Sequence, residues 1–419
     1  MNESALLDQL SLSRNDAVDG PTFVDLFSGA GGLGLGFCNA GFKLASAIDN
    51  KLVACNTYKT NVGPNVINVD IQEDIVLPPA TVIVGGPPCQ GFSSAGLRRR
   101  DDKRNTLTSI FSKVVARYRP NAFVFENVEG FLTTDNGQRV LDLLEPLIEA
   151  GYRVHLRKIN AANYGVPQHR KRVFAIGGLG WDPTFPLPTY SAYGAPGAHL
   201  AGSHLTPTPT LCEALEGLPP PAENPQGVPS GHYSRNLNGM ELRRIAALRI
   251  GETMRDLPEE LKHKSYTKRA FRRVIDGTPC EQRGGPPAGI RRLRPDEPCK
   301  AITSAATTEF VHPFENRCLT LRECSRIQTF PDEFVFLGTT TEQAQLICDA
   351  VPPLLATKIA ISLMRDLQLQ HPRSNLGALL SFVPTLSLGT SPALERTIDL
   401  VRQRFATKSE RKEQLVIWR

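Results

Sequence analysis

A cysteine stands in a segment whose sequence could support covalent chemistry. Cys89 lies in Gly-Gly-Pro-Pro-Cys-Gln-Gly-Phe-Ser, over residues 85–93, directly after the apolar run 80–84. The two prolines stiffen a loop at the end of a predicted strand, which favours an exposed thiol over the buried small hydrophobe that a single cysteine usually is. A cysteine thiolate presented by such a loop is a candidate nucleophile.

An acid and two arginines adjoin other apolar runs. Glu126 follows the run 121–125 directly, and a partly desolvated carboxyl group there can stay protonated or share a proton with a substrate nitrogen. Arg170 and Arg172 alternate at the start of the run 172–177, so both side chains project to one face of a strand. Either arginine could contact Glu126 or a carbonyl oxygen of a substrate.

A glycine-rich turn, Asp-Leu-Phe-Ser-Gly-Ala-Gly-Gly-Leu-Gly over residues 25–34, follows the first apolar run. Its glycines let the backbone turn tightly and approach a ligand, but such a turn could hold a dinucleotide, an adenosyl cofactor or no ligand. Asp49 and Asp70 each end a predicted strand. Their carboxylates could accept hydrogen bonds from a ribose diol, or they could simply cap helices.

Short apolar runs alternate with helical patterns through this part of the chain, which predicts a doubly wound α/β sheet of parallel strands. Ligands of such sheets bind at the carboxyl ends of the strands, so the segments above are expected to share one edge. The predicted strands are 22–27, 43–48, 80–84, 121–125, 152–159 and 172–177, with helices near 51–60, 107–118 and 137–149 and again at 319–327 and 341–366.

The composition is that of a folded enzyme. Of 419 residues, 41% are hydrophobic and 21% charged, which excludes a wholly disordered chain and a coiled coil. No apolar run approaches the roughly 20 residues that span a bilayer, and the polar first 20 residues resemble neither a signal nor a transit peptide. The nine cysteines form no Cys-x-x-Cys pair and indicate reduced thiols. Cys280, Cys299, Cys318, Cys324 and His312 lack compact zinc-site spacing, so no metal is expected.

The middle of the chain differs in composition from the rest. Beyond Trp181, 11 of the 33 prolines fall between Pro183 and Pro229. Between Arg235 and Arg294 there are 15 Lys and Arg against 7 Asp and Glu, a net charge of +8 that exceeds the +6 of the whole chain. A basic block confined to one region is either a solvated face or the footprint of a polyanion partner.

The four segments 25–34, 85–93, 125–128 and 168–174, in this order, resemble those of DNA (cytosine-5)-methyltransferases of bacterial type II restriction-modification systems. The resemblance continues at 319–332 and 349–356 and covers more than half of the chain. It implies a Rossmann-like, S-adenosylmethionine-dependent methyltransferase domain with a smaller, irregular target-recognition domain. The expected organisation is a flexible leader (1–20), a catalytic and cofactor-binding domain (21–180 and 319–370), a target-recognition domain (181–318) and a C-terminal extension (371–419).

The resemblance also assigns roles to individual residues. Cys89 corresponds to the nucleophile, Glu126 to the partner of cytosine N3, and Arg170 and Arg172 to the arginines that organise the site. The cofactor pocket is expected at Phe27, Ser28, Gly29, Gly31, Leu33, Asp49, Asp70, Ile71, Pro88 and Leu107. DNA contacts are expected from three groups of basic residues. A basic loop contains Arg98, Arg99 and Arg100, phosphate contacts are expected from Lys268, Arg269, Arg272 and Arg273, and base contacts from Arg283, Arg291, Arg292 and Arg294. Any one of the arginines in the last two groups could instead support the fold.

Two positions depart from the family pattern. Asp49 stands where the family usually has Glu at the ribose, and Cys348-Asp349 replaces the usual Gly-Asn before Ala-Val-Pro. The second departure puts a local turn and one contact of the family's last segment in doubt, but it does not affect the nucleophile.

The implied activity is methyl transfer from S-adenosylmethionine to carbon 5 of a flipped-out cytosine in double-stranded DNA, through a covalent Cys89 intermediate. The resemblance implies that the protein acts in the prokaryotic cytoplasm, at the nucleoid. It also implies a monomer that has a cognate restriction endonuclease as its functional partner and no membrane partner. Two alternatives remain. The first is an RNA cytosine methyltransferase of related fold, and the long basic region argues against it. The second is a non-catalytic DNA-binding regulator, and the intact Cys89 and Glu126 argue against it.

The change of composition at Trp181 predicts that residues 180–318 choose the DNA site. Replacing this segment with that of a relative that reads another sequence should transfer specificity while methyl transfer persists. Bisulfite sequencing of host DNA measures the outcome. Methylation patterns that follow the remainder of the chain in active chimaeras would contradict the assignment.

Overall fold

Eight strands form a central sheet in the computed structural model, which describes residues 20–88, 107–201, 204–222, 229–263, 289–386 and 390–405. The strands in chain order are β1 (Thr22–Leu26), β2 (Lys43–Asp49), β3 (Val66–Asn68), β4 (Val82–Gly85), β5 (Ala122–Val128), β6 (Tyr152–Asn160), β7 (Gln168–His169), β8 (Lys171–Leu179), β9 (Tyr190–Ser191), β10 (Thr206–Pro207), β11 (Arg291–Arg292), β12 (Cys299–Lys300), β13 (Phe310–Val311) and β14 (Ala378–Val383). The central sheet has the order β14-β6-β8-β5-β4-β1-β2-β3, and the other strands pair in twos.

The helices account for the sequence patterns between the strands. They are α1 (Gly32–Asn39), α2 (Leu52–Asn61), α3 (Leu107–Tyr118), α4 (Gln138–Glu149), α5 (Leu211–Leu215), α6 (Gly239–Ala246), α7 (Ala306–Glu309), α8 (Leu321–Ile327), α9 (Thr340–Asp349), α10 (Pro353–Gln368) and α11 (Pro392–Phe405), with 3₁₀ segments at Glu129–Gly137, Ala161–Tyr164 and Glu259–Leu261. The helices predicted at 51–60, 107–118 and 137–149 are confirmed. Proline at the start of α10 ends the preceding helix, because the ring cannot donate a backbone hydrogen bond.

Both faces of the sheet are covered, as the continuous apolar runs of its inner strands require. Alternate residues of one strand enter different cores: Phe23 packs in the layer that contains α1 and α10, whereas Val24 packs in the layer that contains α3 and α4. The same alternation separates Val124 from Phe123 on β5. This period of two places every second residue of an inner strand in each core.

Strand β8 runs against its neighbours. It pairs antiparallel with both β5 and β6, and Val128 lies opposite Arg172. The prediction of a wholly parallel sheet is therefore wrong for this strand. As a consequence, the beginning of β8 lies at the same edge as the end of β5.

The C-terminal extension expected at 371–419 is, where the structure describes it, part of the packed fold. Its strand β14 pairs parallel with β6 at the edge of the sheet, and α11 packs on the 3₁₀ segment Glu129–Gly137, where Thr397 Oγ1 donates to the Leu132 carbonyl at 2.8 Å. The sequence did not reveal β14, because a six-residue apolar strand far from the other strands has no local signal of its partner.

Within the described residues between 181 and 318, regular structure is sparse, with strands of two residues and the short helices α5, α6 and α7. A small core of Ile245, Leu248, Met254, Leu257, Val311 and Cys318 stabilises part of this region. Its irregular character is the one that the proline-rich composition predicts.

Residues Thr340–Gln368 have the length and mean hydropathy of a membrane span, yet 61% of their most apolar window is buried within the protein. The stretch consists of α9 and α10, which are separated at Ala350–Pro352. Its apolar side chains, such as Leu355 and Ile359, belong to the core against α1. The high mean hydropathy of this stretch is therefore explained by two helices that pack in the core of the protein.

The contact between α1 and α10 predicts a stability effect at Gly36. A Cβ atom added there would lie 2.3 Å from Ala356 Cβ and 2.7 Å from the Thr357 backbone nitrogen. Gly36→Ala should therefore lower the free energy of unfolding by about 1–3 kcal/mol despite the better helix propensity of alanine. Gly239→Ala, where an added Cβ meets no atom within 4 Å, is the control for denaturant unfolding. Equal stability of both variants would contradict the close-packing argument.

Candidate active site

The conformation of the glycine-rich turn is fixed by positive backbone φ angles and by hydrogen bonds to Asp49. Phe27, Gly29 and Gly31 have positive φ angles of 57°, 54° and 97°. The Gly29 backbone N–H donates to Asp49 Oδ2 at 2.9 Å, and the Lys51 N–H donates to Asp49 Oδ1 at 2.8 Å. Asp49 thus ties the turn after β1 to the end of β2, and each carboxylate oxygen keeps a lone pair for a further donor.

Two buried polar atoms at this turn have no hydrogen-bond partner among the described residues. Ser28 Oγ and Asp25 Oδ1 are both buried and unbonded. The other oxygen of Asp25 accepts from Tyr58 Oη at 3.2 Å, and burial raises the pKa of Asp25 to about 8. Buried polar groups are normally satisfied, so these atoms fit a site that receives a polar ligand. A Cβ added at Gly29 would meet no atom within 4 Å, so space adjoins the turn.

Asp25 was not among the site residues expected from the sequence. Its only local signal was an acid inside an otherwise apolar strand, where a charged residue is rarely left fully buried without a partner.

The other predicted cofactor residues lie near the same edge. Asp70 Oδ1 accepts from Asn50 Nδ2 at 2.8 Å, which links the segment after β3 to the end of β2. Ile71 is buried, Leu107 is half-buried at the start of α3, and Pro88 is exposed after β4. Leu33 is buried on α1. This arrangement places apolar and acidic side chains at the carboxyl ends of β1 to β4, the usual ligand site of such sheets.

Glu126 and Arg172 form an ion pair across β5 and β8, with Arg172 Nε 3.0 Å from Glu126 Oε1. Glu126 is 8% exposed, and burial raises its pKa against the opposing charges of Arg172 and Arg170. Glycine at position 86 leaves room for this carboxylate, because an added Cβ would lie 3.1 Å from Glu126 Oε2. The pair is therefore a partly desolvated acid with an adjacent cation, which can bind a ring with both a nitrogen and a carbonyl oxygen.

Arg170 is buried in different surroundings from those of Arg172. It is 1% exposed, and its Nη2 donates to the carbonyl oxygens of Cys348 at 2.6 Å and Ala350 at 3.0 Å. Burial lowers its pKa, although a guanidinium keeps its charge at neutral pH. Arg170 therefore acts on Glu126 through its charge and makes no hydrogen bond to it. Its hydrogen bonds instead hold the junction of α9 and α10 beside the site.

Asn127, which follows Glu126, tethers the loop that leads to the cysteine. Its Nδ2 donates to the Pro87 carbonyl at 3.4 Å, while its Oδ1 accepts from the Val128 N–H at 2.9 Å. Cys89 itself lies outside the described residues. The tether ends two residues before it, at the same edge as Glu126.

Of the residues predicted to contact DNA, three are described by the structure. Outside the described residues lie Arg98, Arg99, Arg100, Lys268, Arg269, Arg272, Arg273 and Arg283. Arg294 is exposed, and Arg291 is half-buried with its guanidinium 5.8 Å from the Phe310 ring. No group of three or more metal-ligating side chains occurs in the part of the chain that the structure covers.

The prediction that Arg292 reads a base is wrong. The side chain is 6% exposed, and its donors are engaged by the carbonyl oxygens of Ile245, Leu248, His312 and Glu315 and by Asn316 Oδ1, at 2.7–2.9 Å. Arg292 therefore joins the end of α6 to the loop after β13 and has no donor left for a base edge.

Comparison with known proteins supports what this geometry indicates. A family model of C-5 cytosine-specific DNA methylases matches residues 21–365. The type II methyltransferase M1.HphI of Haemophilus parahaemolyticus is 33% identical, covering 82% of this chain and 87% of that protein, and M.DdeI of Desulfomicrobium norvegicum is 35% identical, covering 80% and 87%.

Two solved structures share the fold. A protein described as a DNA modification methyltransferase encoded within an E. coli prophage has a TM-score of 0.61 at 24% identity, covering 84% of this chain and all of that one. The S. pombe Dnmt2 methyltransferase has a TM-score of 0.53 at 14% identity, covering 83% and 99%. The molecule is thus a Rossmann-like methyltransferase. It belongs to the C-5 cytosine-specific DNA methylase family and is a DNA (cytosine-5)-methyltransferase.

The environment of Arg292 predicts a stability role. Arg292→Lys should lower the free energy of unfolding by about 3–5 kcal/mol, because several buried carbonyl oxygens lose their donors. Denaturant unfolding measures the effect, and Arg294→Lys at the neighbouring exposed position should change stability by less than about 0.5 kcal/mol. A stable Arg292→Lys variant with relaxed specificity at one base would restore the base-reading role.

Proposed function

We propose that the protein transfers the methyl group of S-adenosylmethionine to carbon 5 of a flipped-out cytosine through a covalent bond to Cys89. The observation that carries this proposal is the Glu126–Arg172 pair, which lies at the carboxyl edge of the sheet together with the glycine-rich turn. The chain's membership of the cytosine methylase family gives the chemistry that this pair serves.

The cofactor fits the residues at the turn. Ser28 and Asp25 offer buried polar atoms that no described residue hydrogen-bonds, and Asp49 offers free lone pairs beside open space at Gly29. When bound, S-adenosylmethionine supplies an electrophilic methyl group on a sulfonium. Asp49 would bind the ribose hydroxyls, and Asp70, Ile71 and Leu107 would flank the adenine.

The remaining steps belong to the protein. Carbon 5 of cytosine is a weak nucleophile, so the Cys89 thiolate adds to carbon 6, and the electron pair moves to carbon 5 and N3. Glu126 donates a proton or hydrogen bond to N3, while Arg172 binds the O2 carbonyl and stabilises the charge there. After methyl transfer, carbon 5 loses its proton to a base, and the double bond re-forms as the thiolate leaves carbon 6.

The base must leave the duplex before the thiolate can reach it. We assign site selection to residues 181–318 and phosphate contacts to the basic residues of that region and of the segment 98–100. The type II relatives support a cognate restriction endonuclease as functional partner. We further propose that the protein acts as a monomer on DNA in the prokaryotic cytoplasm. An RNA substrate has no comparable support, since the family model that matches the chain describes DNA methylases.

Replacing the thiol tests the covalent route. Cys89→Ala should reduce methyl transfer to background while leaving cofactor binding and the thermal midpoint unchanged, because a methyl side chain cannot add to carbon 6. Bisulfite sequencing of host DNA measures the product. Wild-type protein should also form a denaturation-resistant adduct with DNA that carries 5-fluorocytosine, because fluorine cannot leave as a proton; Cys55→Ala, which removes another thiol, should still form it. Normal turnover by Cys89→Ala would refute the mechanism.

A further inference from the structure

Two lysines lie at the carboxyl edge of the sheet, where the core formed with α3 and α4 ends. On β6 and β8, alternate residues pack in this core, and those nearest the edge are Val154, Leu156, Val173 and Ala175. Two residues further toward the edge, the same face carries Lys158 on β6 and Lys171 on β8. The apolar face of these strands therefore ends in two cations.

The two lysines are diagonal neighbours that share one acid. Lys158 lies opposite Val173 in the antiparallel pairing, two positions from Lys171, a spacing of about 7–8 Å. Lys158 Nζ lies 3.3 Å from Glu129 Oε2, at the start of the 3₁₀ segment that follows β5. No carboxylate in the part of the chain that the structure describes forms an ion pair with Lys171. One carboxylate thus faces two ammonium groups.

The surroundings leave a net positive charge between these strands. Burial and the charge of Lys158 lower the pKa of Lys171, whereas the charge of Glu129 raises it. The Lys158 side chain is 15% exposed and that of Glu129 is 53% exposed, so the acid is the more solvated of the two. An anion bound at both ammonium groups would relieve their repulsion.

The lysine pair adjoins the candidate active site. Lys171 directly precedes Arg172, whose Nη1 donates to the Lys171 carbonyl oxygen at 2.8 Å while its Nε contacts Glu126. Glu129 follows the end of β5, three residues after Glu126. A nucleotide whose base reaches Glu126 and Arg172 carries its own phosphates to this edge of the sheet.

We propose that Lys158 and Lys171 bind a DNA phosphate next to the flipped-out cytosine. This inference rests on the proposed function, because it places the backbone of the nucleotide whose base that function methylates. It adds a DNA contact within the catalytic domain, at residues that no sequence pattern indicated. A lysine ammonium binds phosphate as a point charge, and Glu129 competes with the phosphate for Lys158.

The experiment measures how salt weakens DNA binding by the full-length protein. Fluorescence anisotropy gives the dissociation constant for a labelled duplex that carries the methylation site mapped by bisulfite sequencing. Each neutralised phosphate contributes about 0.9 to the slope of log K against log salt concentration. Lys171→Gln should therefore reduce the slope by about 0.9 and raise the dissociation constant about 3- to 10-fold near 0.1 M salt.

Three further variants separate a phosphate contact from other effects. Lys171→Arg keeps the cation and should retain the wild-type slope. Lys43→Gln makes the same change in net charge at the start of β2, on the opposite edge of the sheet, and should leave the slope unchanged. Glu129→Gln removes the competing acid and should tighten DNA binding, whereas damage to the fold would weaken it.

The possible failures are distinguishable. If wild-type protein transferred no methyl group to DNA cytosine, the proposed function itself would be wrong. If wild type were active but Lys171→Gln kept the wild-type slope, the phosphate site would be refuted. Equal weakening by Lys171→Gln and Lys171→Arg would also refute it, because that result indicates a structural role. Glu129→Gln that bound DNA no more tightly than wild type would refute a site shared with Lys158.

Discussion

The buried guanidinium of Arg170 is the interaction on which the geometry of the site depends. An unpaired buried charge is costly, and here the charge is compensated by carbonyl oxygens at the junction of α9 and α10. That junction lies 178 residues further along the chain from Arg170. The contact therefore joins the parts of the chain on either side of residues 181–318 and holds these two distant segments at one edge of the sheet.

The direction of β8 has equal importance for the chemistry. In a wholly parallel sheet, the beginning of β8 would lie at the edge opposite the end of β5, and Arg172 could not reach Glu126. Because β8 runs antiparallel to β5, Val128 is opposite Arg172 and the ion pair forms beside the loop that Asn127 tethers. Strand β14 pairs with the other side of β6.

Charge alone is a poor guide to function in the basic region. Arg291, Arg292 and Arg294 are close neighbours in sequence, yet their surroundings differ. Arg291 lies over the Phe310 ring, Arg292 is buried among carbonyl oxygens, and Arg294 is exposed. An arginine offers five N–H donors, and the backbone of an irregular domain has many carbonyl oxygens that need them. In such a domain, a net positive charge includes cations that stabilise loops as well as cations that face a polyanion.

The amino-acid sequence by itself determined the α/β class, the presence of strands β1, β2, β4, β5, β6 and β8, and the family, because apolar runs and strand-end segments are local patterns. It also placed Glu126 and the glycine-rich turn at strand ends, where ligands bind. Only the tertiary structure decided the direction of β8, the addition of β14 and the different surroundings of Arg170, Arg172 and Arg292. The physical reason is that strand pairing and the burial of a guanidinium depend on partners far away in the chain, which no local spacing specifies.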